Sequence, residues 1–281
     1  MNTGLLAKRI ILAVSLLACS WIAQAGGGPD QDRATMIALF MGRFPGHALD
    51  EYVNGALMLS PDAKAQFDSI MEFPPFQGEI DKGRMLWEKP FANGRTFSGC
   101  FPNGGRNVAG NFPYFDAASD KVVTFEMAIN RCLRENGERE FEYGARETIG
   151  VLTAYARTLS DGMRVHIVVD GAGAQRRYRA GRELYFRRIG QLNLACASCH
   201  VAYAGNHFRD EIISPAIGQT THFPVFRAGD NLHTLHMRYQ RCMEAMRAVP
   251  FPAGSQEFND LEYFHSYLSN GLPMRASVYR K

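Results

Sequence analysis

"ACASCHV", residues 195–201, carries two cysteines three positions apart and a histidine directly after the second: Cys196, Cys199 and His200. C-x-x-C-H is the attachment sequence of c-type haem. Two thiols at this spacing, on a turn opening into a helix, each add to a vinyl group of one porphyrin. The adjacent histidine then ligates the iron from the proximal side. A thioredoxin-like redox pair needs a βαβ setting, which the flanking sequence lacks, and a zinc site needs two further ligands at matching spacing. The stretch therefore predicts one covalently bound haem c and a mainly α, cytochrome c-like domain around it.

The rest of the chain bounds that reading. Residues 1–25 run from Lys8 and Arg9 through an apolar stretch to Ala-Gln-Ala, the form of a secretory signal peptide, which predicts export to the periplasm. "LLAC" ending at Cys19 also fits a lipoprotein cleavage box. No later apolar run approaches the ~20 residues of a membrane span. Without the two basic residues of the signal, the formal net charge falls from +3 to +1, which gives no support to nucleic-acid binding. The 46% apolar content allows a well-buried core.

Working outward from the haem sequence, three blocks recur in the same order, about 100–110 residues apart. "DKGRMLWEK" (81–89) matches "RAGRELYFR" (179–187), and "FPYFDAASDKVVTFEMAINRC" (112–132) matches "FPVFRAGDNLHTLHMRYQRC" (223–242). "LTAYARTLSDGMRV" (152–165) matches "FHSYLSNGLPMRA" (264–276). This predicts two tandem domains, 70–170 and 171–281, after an N-terminal extension, 26–69. Where the second has "ACASCHV" the first has "RTFSGCFP" (95–102), with Cys100 alone and no histidine, so only the second is expected to hold haem.

Beyond Cys19 the cysteines number five, which cannot all pair. Cys196 and Cys199 are assigned to haem. Cys100 and Cys132 are expected to form a disulfide, closing a loop worth about 3–4 kcal/mol in the chain-entropy model. Cys242 is left unpaired on an amphipathic helix whose apolar stripe is Leu232, Leu235, Tyr239, Met243 and Met246. It competes for the sixth iron position with Met237, Met243, Met246 and Met274, although methionines at helical spacing are more often core filler. Arg238 lies one turn before Cys242 on the same face.

Local expectations follow. "AIGQTTHFPVFRAGD" (216–230) reads as loop, with Asp230 or Asn231 capping the next helix. Ser255 to Leu268 reads as a last helix, stopped by Asn270-Gly271 with Pro273 beyond. "RVHIVVDGAGA" (164–174) reads as a strand running into a Gly-rich turn; its lone G-x-G lacks the third glycine of a dinucleotide site. His222, His233 and His236 read as satisfied or surface residues, with His236 turned away from Cys242. Arg241 and Arg247 read as solvated.

"NLACASCH" (193–200), "FPVFR" (223–227), "RYQRC" (238–242) and "LEYFHSYLSNGLP" (261–273), together with the repeat, resemble SoxA, the haem subunit of the SoxAX cytochromes of bacterial thiosulfate oxidation. The loop "GQTTHFP" departs from it, since a second glycine is more usual there. The resemblance implies that Cys242 is an axial iron ligand bearing a persulfide and that Arg238 binds the anionic substrate. It further implies an enzyme, an L-cysteine S-thiosulfotransferase of the single-haem kind, that joins thiosulfate to a cysteine of a SoxYZ carrier with a SoxX-like cytochrome as partner. A His/Met electron carrier and a haem-based sensor are the alternatives.

Overall fold

The computed structural model describes residues 27–280; the signal sequence and Cys19 lie outside them. Among the described residues no helix is long and apolar enough to cross a membrane.

The structure is mainly helical. After α1 (Pro29–Arg43), a 3-10 segment over Leu49–Leu59 and α2 (Pro61–Glu72), the chain forms α3 (Gln77–Glu88), a β1–β2 hairpin (Tyr114–Asp116, Lys121–Val123), α4 (Phe125–Glu135) and α5 (Val151–Thr158). It continues through α6 (Gly171–Phe186), a short β3–β4 hairpin (His207–Phe208, Glu211–Ile212) and a β5–β6 hairpin (Val225–Arg227, Asn231–His233). α7 (Leu235–Ala245), α8 (Gln256–Tyr267) and β7 (Val278–Tyr279) complete it. β7 runs parallel beside β5.

α3 packs on α5, and α6 packs on α8. Both crossings are close because a glycine stands at each. A Cβ on Gly83 would strike the Val151 carbonyl, and one on Gly181 would strike the Asp260 carbonyl. The helices after the two longer hairpins start alike: Thr124 Oγ1 accepts from Met127 N at 3.2 Å and Thr234 Oγ1 accepts from Met237 N at 3.3 Å. Such caps satisfy amide groups the helix cannot.

The two longer hairpins each pack against the other half. On β5, Phe226 stacks on Phe76 with ring centroids 4.1 Å apart, and Leu232 sits against Gly150 with Val151 and Ala154 in the same apolar cluster. Phe115 of β1 lies over Gly173, while Asp120 pairs with Arg176 and Arg177. Between the halves lies a buried polar group: Glu262 is 3.1 Å from His236 Nε2 and 3.8 Å from Arg157. Residues 27–69 do not hang free. Asp32 binds Arg182 and Tyr178, Asp30 accepts from Tyr267, and Arg33 donates to the Asn270 carbonyl.

Three local expectations need correction. The helix bearing Cys242 is capped by Thr234, because Asn231–His233 is held in β6 by pairing with Val225–Arg227. Residues 216–230 are not plain loop but hold a 3-10 turn (Gln219–His222) and β5. Residues 164–174 contain no strand; the pairing is limited to a bridge of Arg164 to Pro273 and to Val165, which donates to the Leu272 carbonyl and accepts from Gly271 N, before His166 N turns to the Gly110 carbonyl and Gly171 opens α6. The last helix is Gln256–Tyr267 with Ser255 as its cap.

Candidate haem and sulfur site

After α6 the chain makes a tight turn closed by the bridge between Ile189 and Leu194; Cys196 and Ala197 then open a helical segment that continues as a single turn of π-helix, Ser198–Ala202, carrying Cys199 and His200. Ser198 Oγ accepts from Ala195 N at 3.0 Å, which fixes the start of the turn. Cys196, Cys199 and Cys242 are free thiols, each partly buried. They share one neighbourhood. Burial, then Cys242 and Cys199, pushes the Cys196 thiol up to about 12, and burial followed by Cys242 raises that of Cys199. Both therefore stand as thiols at neutral pH, the form that adds across a vinyl group to give a thioether.

Whether a haem fits is tested by the groups around these sulfurs. His200 Nδ1 lies 3.0 Å from the Ser214 carbonyl, leaving Nε2 as the nitrogen for iron. Burial depresses the imidazole to about 4, with the Arg238 charge a lesser cause, so the ring is neutral as a metal ligand must be. The Tyr185 hydroxyl is buried without a hydrogen-bond partner and is influenced by all three thiols. An unpartnered hydroxyl costs about 1–3 kcal/mol, which a polar edge of a bound group would offset. The donor set fits a covalent haem.

Arg238 and Cys242 sit four residues apart on α7, beside one another on its face. Among the described residues no carboxylate pairs with Arg238. After burial, its charge is among the causes that depress His222, Arg227 and His233. His233 is lowered to about 4, with Arg146, Arg227, Arg238 and Arg241 all contributing, so the region around Arg238 is strongly positive. Arg241 itself is 68% exposed and bound to Glu244. His236 is buried against Glu262, on the side of α7 away from this field. Met243, Met246 and Met274 are buried in the apolar core. Met237 is partly buried.

In the first half, Cys100 and Cys132 form a disulfide, Cα atoms 5.8 Å apart. Phe101, directly after Cys100, occupies the position His200 has after Cys199. It stacks at 5.5 Å on Trp87, which also contacts Phe97 and Tyr155.

Reading the sequence did not find Gln219, His265 or Ser214 as neighbours of His200. No local signal marks them, since His265 is 46 residues from the glutamine it touches.

Two relatives are named L-cysteine S-thiosulfotransferase subunit SoxA. That of Chlorobaculum thiosulfatiphilum is 42% identical, over 90% of this chain and 88% of its own. That of Allochromatium vinosum is 37% identical over 99% of both. The chain belongs to the SoxA family. A solved SoxA-family structure, SoxXA from P. pantotrophus, is similar with a TM-score of 0.67 and 29% identity, covering 74% of this chain and 79% of that one. The family profile described as SoxA/TsdA, cytochrome c domain, matches residues 82–165, which is the half without C-x-x-C-H.

Proposed function

We propose that this chain is the haem-bearing subunit of a thiosulfate-conjugating enzyme, acting in the periplasm with a SoxX-like cytochrome on a SoxYZ-like carrier. The observation that carries this reading is the meeting of three free thiols, a neutral histidine and the positive field of Arg238 at one site, in a chain of the SoxA family. The reaction joins thiosulfate to a carrier cysteine: R–SH and S2O3²⁻ give R–S–S–SO3⁻, two electrons and one proton.

The two halves are tandem cytochrome c-like domains, and only the second binds haem. The matched order of elements, the paired glycine crossings and the two threonine caps support the repeat. In the first domain Phe101, Trp87 and the Cys100–Cys132 disulfide take the place of a haem and its ligands. In the second, Cys196 and Cys199 would hold one haem c and His200 and Cys242 would ligate its iron. When bound, the haem would take up electrons one at a time and pass them to the SoxX-like partner, so that two can leave per adduct.

The remaining work falls to the chain. Arg238 offers a planar fork of donors to the sulfonate oxygens of thiosulfate, a dianion. Its position one turn from Cys242 aims the outer sulfur at the Cys242 sulfur, which carries a persulfide. The test is turnover of purified protein with its SoxX-like partner, thiosulfate and carrier. The reading requires an S-thiosulfonate adduct on the carrier, formed at two electrons per adduct. Haem reduction without any adduct would leave an electron carrier.

A further inference from the structure

Behind His200 runs a file of buried polar side chains that the proposed reaction does not use. Tyr239 Oη lies 3.0 Å from His265 Nδ1, and His265 Nε2 lies 2.9 Å from Gln219 Oε1. Gln219 Nε2 in turn lies 2.7 Å from His200 Nδ1. Tyr239, His265 and Gln219 are only 7%, 4% and 8% exposed, so water does not compete for these bonds. Tyr239 is on α7, next to Arg238 and three residues before Cys242. The file therefore starts at the helix bearing the sulfur ligand and ends on the ring of the histidine ligand.

Its bonds have a direction. With Nδ1 of His200 bare, Tyr239 donates to His265, His265 Nε2–H donates to Gln219 Oε1, and Gln219 Nε2–H donates to His200. When a metal takes Nε2 of a neutral imidazole, the proton sits on Nδ1. His200 then donates to the Ser214 carbonyl and to the Gln219 oxygen. The glutamine nitrogen donates to His265, and His265 Nδ1–H donates to Tyr239. Both amide orientations place the same heavy atoms. A change at His200 thus reverses every bond as far as Tyr239, giving up the bond from His265 Nε2–H to the Ala216 carbonyl at 3.3 Å and turning Ser214 Oγ, 2.7 Å from the Gln219 amide, from acceptor to donor.

We propose that Gln219, His265 and Tyr239 are positioning residues that couple the His200 imidazole to helix α7. They do so by accepting the Nδ1 proton's hydrogen bond and passing its direction on to the helix bearing Cys242. The inference rests on the reading of His200 and Cys242 as the two iron ligands. An acceptor on Nδ1–H makes Nε2 the more basic ligand and favours oxidised iron.

The test uses holoprotein variants Gln219→Leu, Tyr239→Phe and their combination, read by midpoint reduction potential and by electron paramagnetic resonance of the oxidised state. Gln219→Leu should raise the potential, and Tyr239→Phe should raise it by a smaller amount. In the combination Tyr239→Phe should add nothing, because the file is already cut. An unmoved potential in Gln219→Leu, or an equal Tyr239→Phe shift in both backgrounds, overturns the coupling. Gln219→Glu keeps an acceptor oxygen and should hold the potential at or below that of the parent, which serves if Gln219→Leu fails to load haem. A parent spectrum without a low-spin thiolate signature would remove the Cys242 reading and leave the file to be judged by its potentials alone. A thiolate signature with additive shifts would remove the coupling alone.

Discussion

Removing the Cys100–Cys132 disulfide tests what holds the first half together. The bond joins residues 32 apart in sequence, and Cys132 is 2% exposed. Closing a loop of about that length removes about 4 kcal/mol of chain entropy from the unfolded state at 25 °C. For a chain of this size each kcal/mol moves the melting temperature by about 2–4 °C, so the double variant Cys100→Ala/Cys132→Ala should melt about 7–15 °C lower. Changing both cysteines avoids leaving a lone thiol to react. With haem proposed to sit on Cys196 and Cys199 in the other half, its absorption at room temperature should not change. The assay is circular dichroism on the holoprotein, with and without reductant. A fall below about 3 °C would refute the reasoning, since the loop-closure entropy would then not be contributing. Loss of haem absorption would contradict the assignment of this bond to the first half.

Four further outcomes follow from the same structure. Gly83→Ala and Gly181→Ala should each cost about 1–3 kcal/mol by forcing paired helices apart, seen in denaturant titration, and Gly181→Ala alone should also disturb haem absorption. Burial raises Asp260 from 3.8 to about 6, against its hydrogen bond from Gln256 and the charge of Arg177. The folded state then holds a proton the unfolded state has lost, so this group's contribution to stability falls as pH rises from about 4 to about 6. Asp260→Asn should flatten that part of the profile. Arg238→Gln should raise KM for thiosulfate about 10- to 100-fold, the worth of a charged hydrogen bond, while haem content is unchanged. Cys242→Ala should abolish turnover with haem still attached; loss of covalent haem would make Cys242 structural instead.

The parts of the fold that the sequence revealed are those with local causes. Gly83 and Gly181 stand in matching blocks because both permit a close helix crossing, and Ser255 announces α8 by the cap it provides. Leu235, Tyr239, Met243 and Met246 are buried along one face as their helical spacing requires, whereas Leu232, expected on the same stripe, is buried on β6 instead, because pairing with Phe226 takes it into the hairpin. What stayed hidden depends on distant partners. Asn231 looks like a helix cap until β5 takes it into a hairpin. The run 164–170 has the composition of a strand, but the structure supplies no strand beside it. At the proposed site, Cys196, Cys199 and His200 stand out by residue type and spacing, and Arg238 and Cys242 by the family resemblance. Gln219, Ser214 and His265 did not, because a hydrogen bond behind a ligand leaves no pattern in one chain.

The central claim is that Cys242 carries the sulfur chemistry. Mass spectrometry of the peptide holding Cys242, from protein isolated without reductant, tests it most directly. The account predicts that peptide to be heavier by one sulfur atom and to lose it on reduction. An unmodified thiol at Cys242 in freshly isolated, active protein would contradict it.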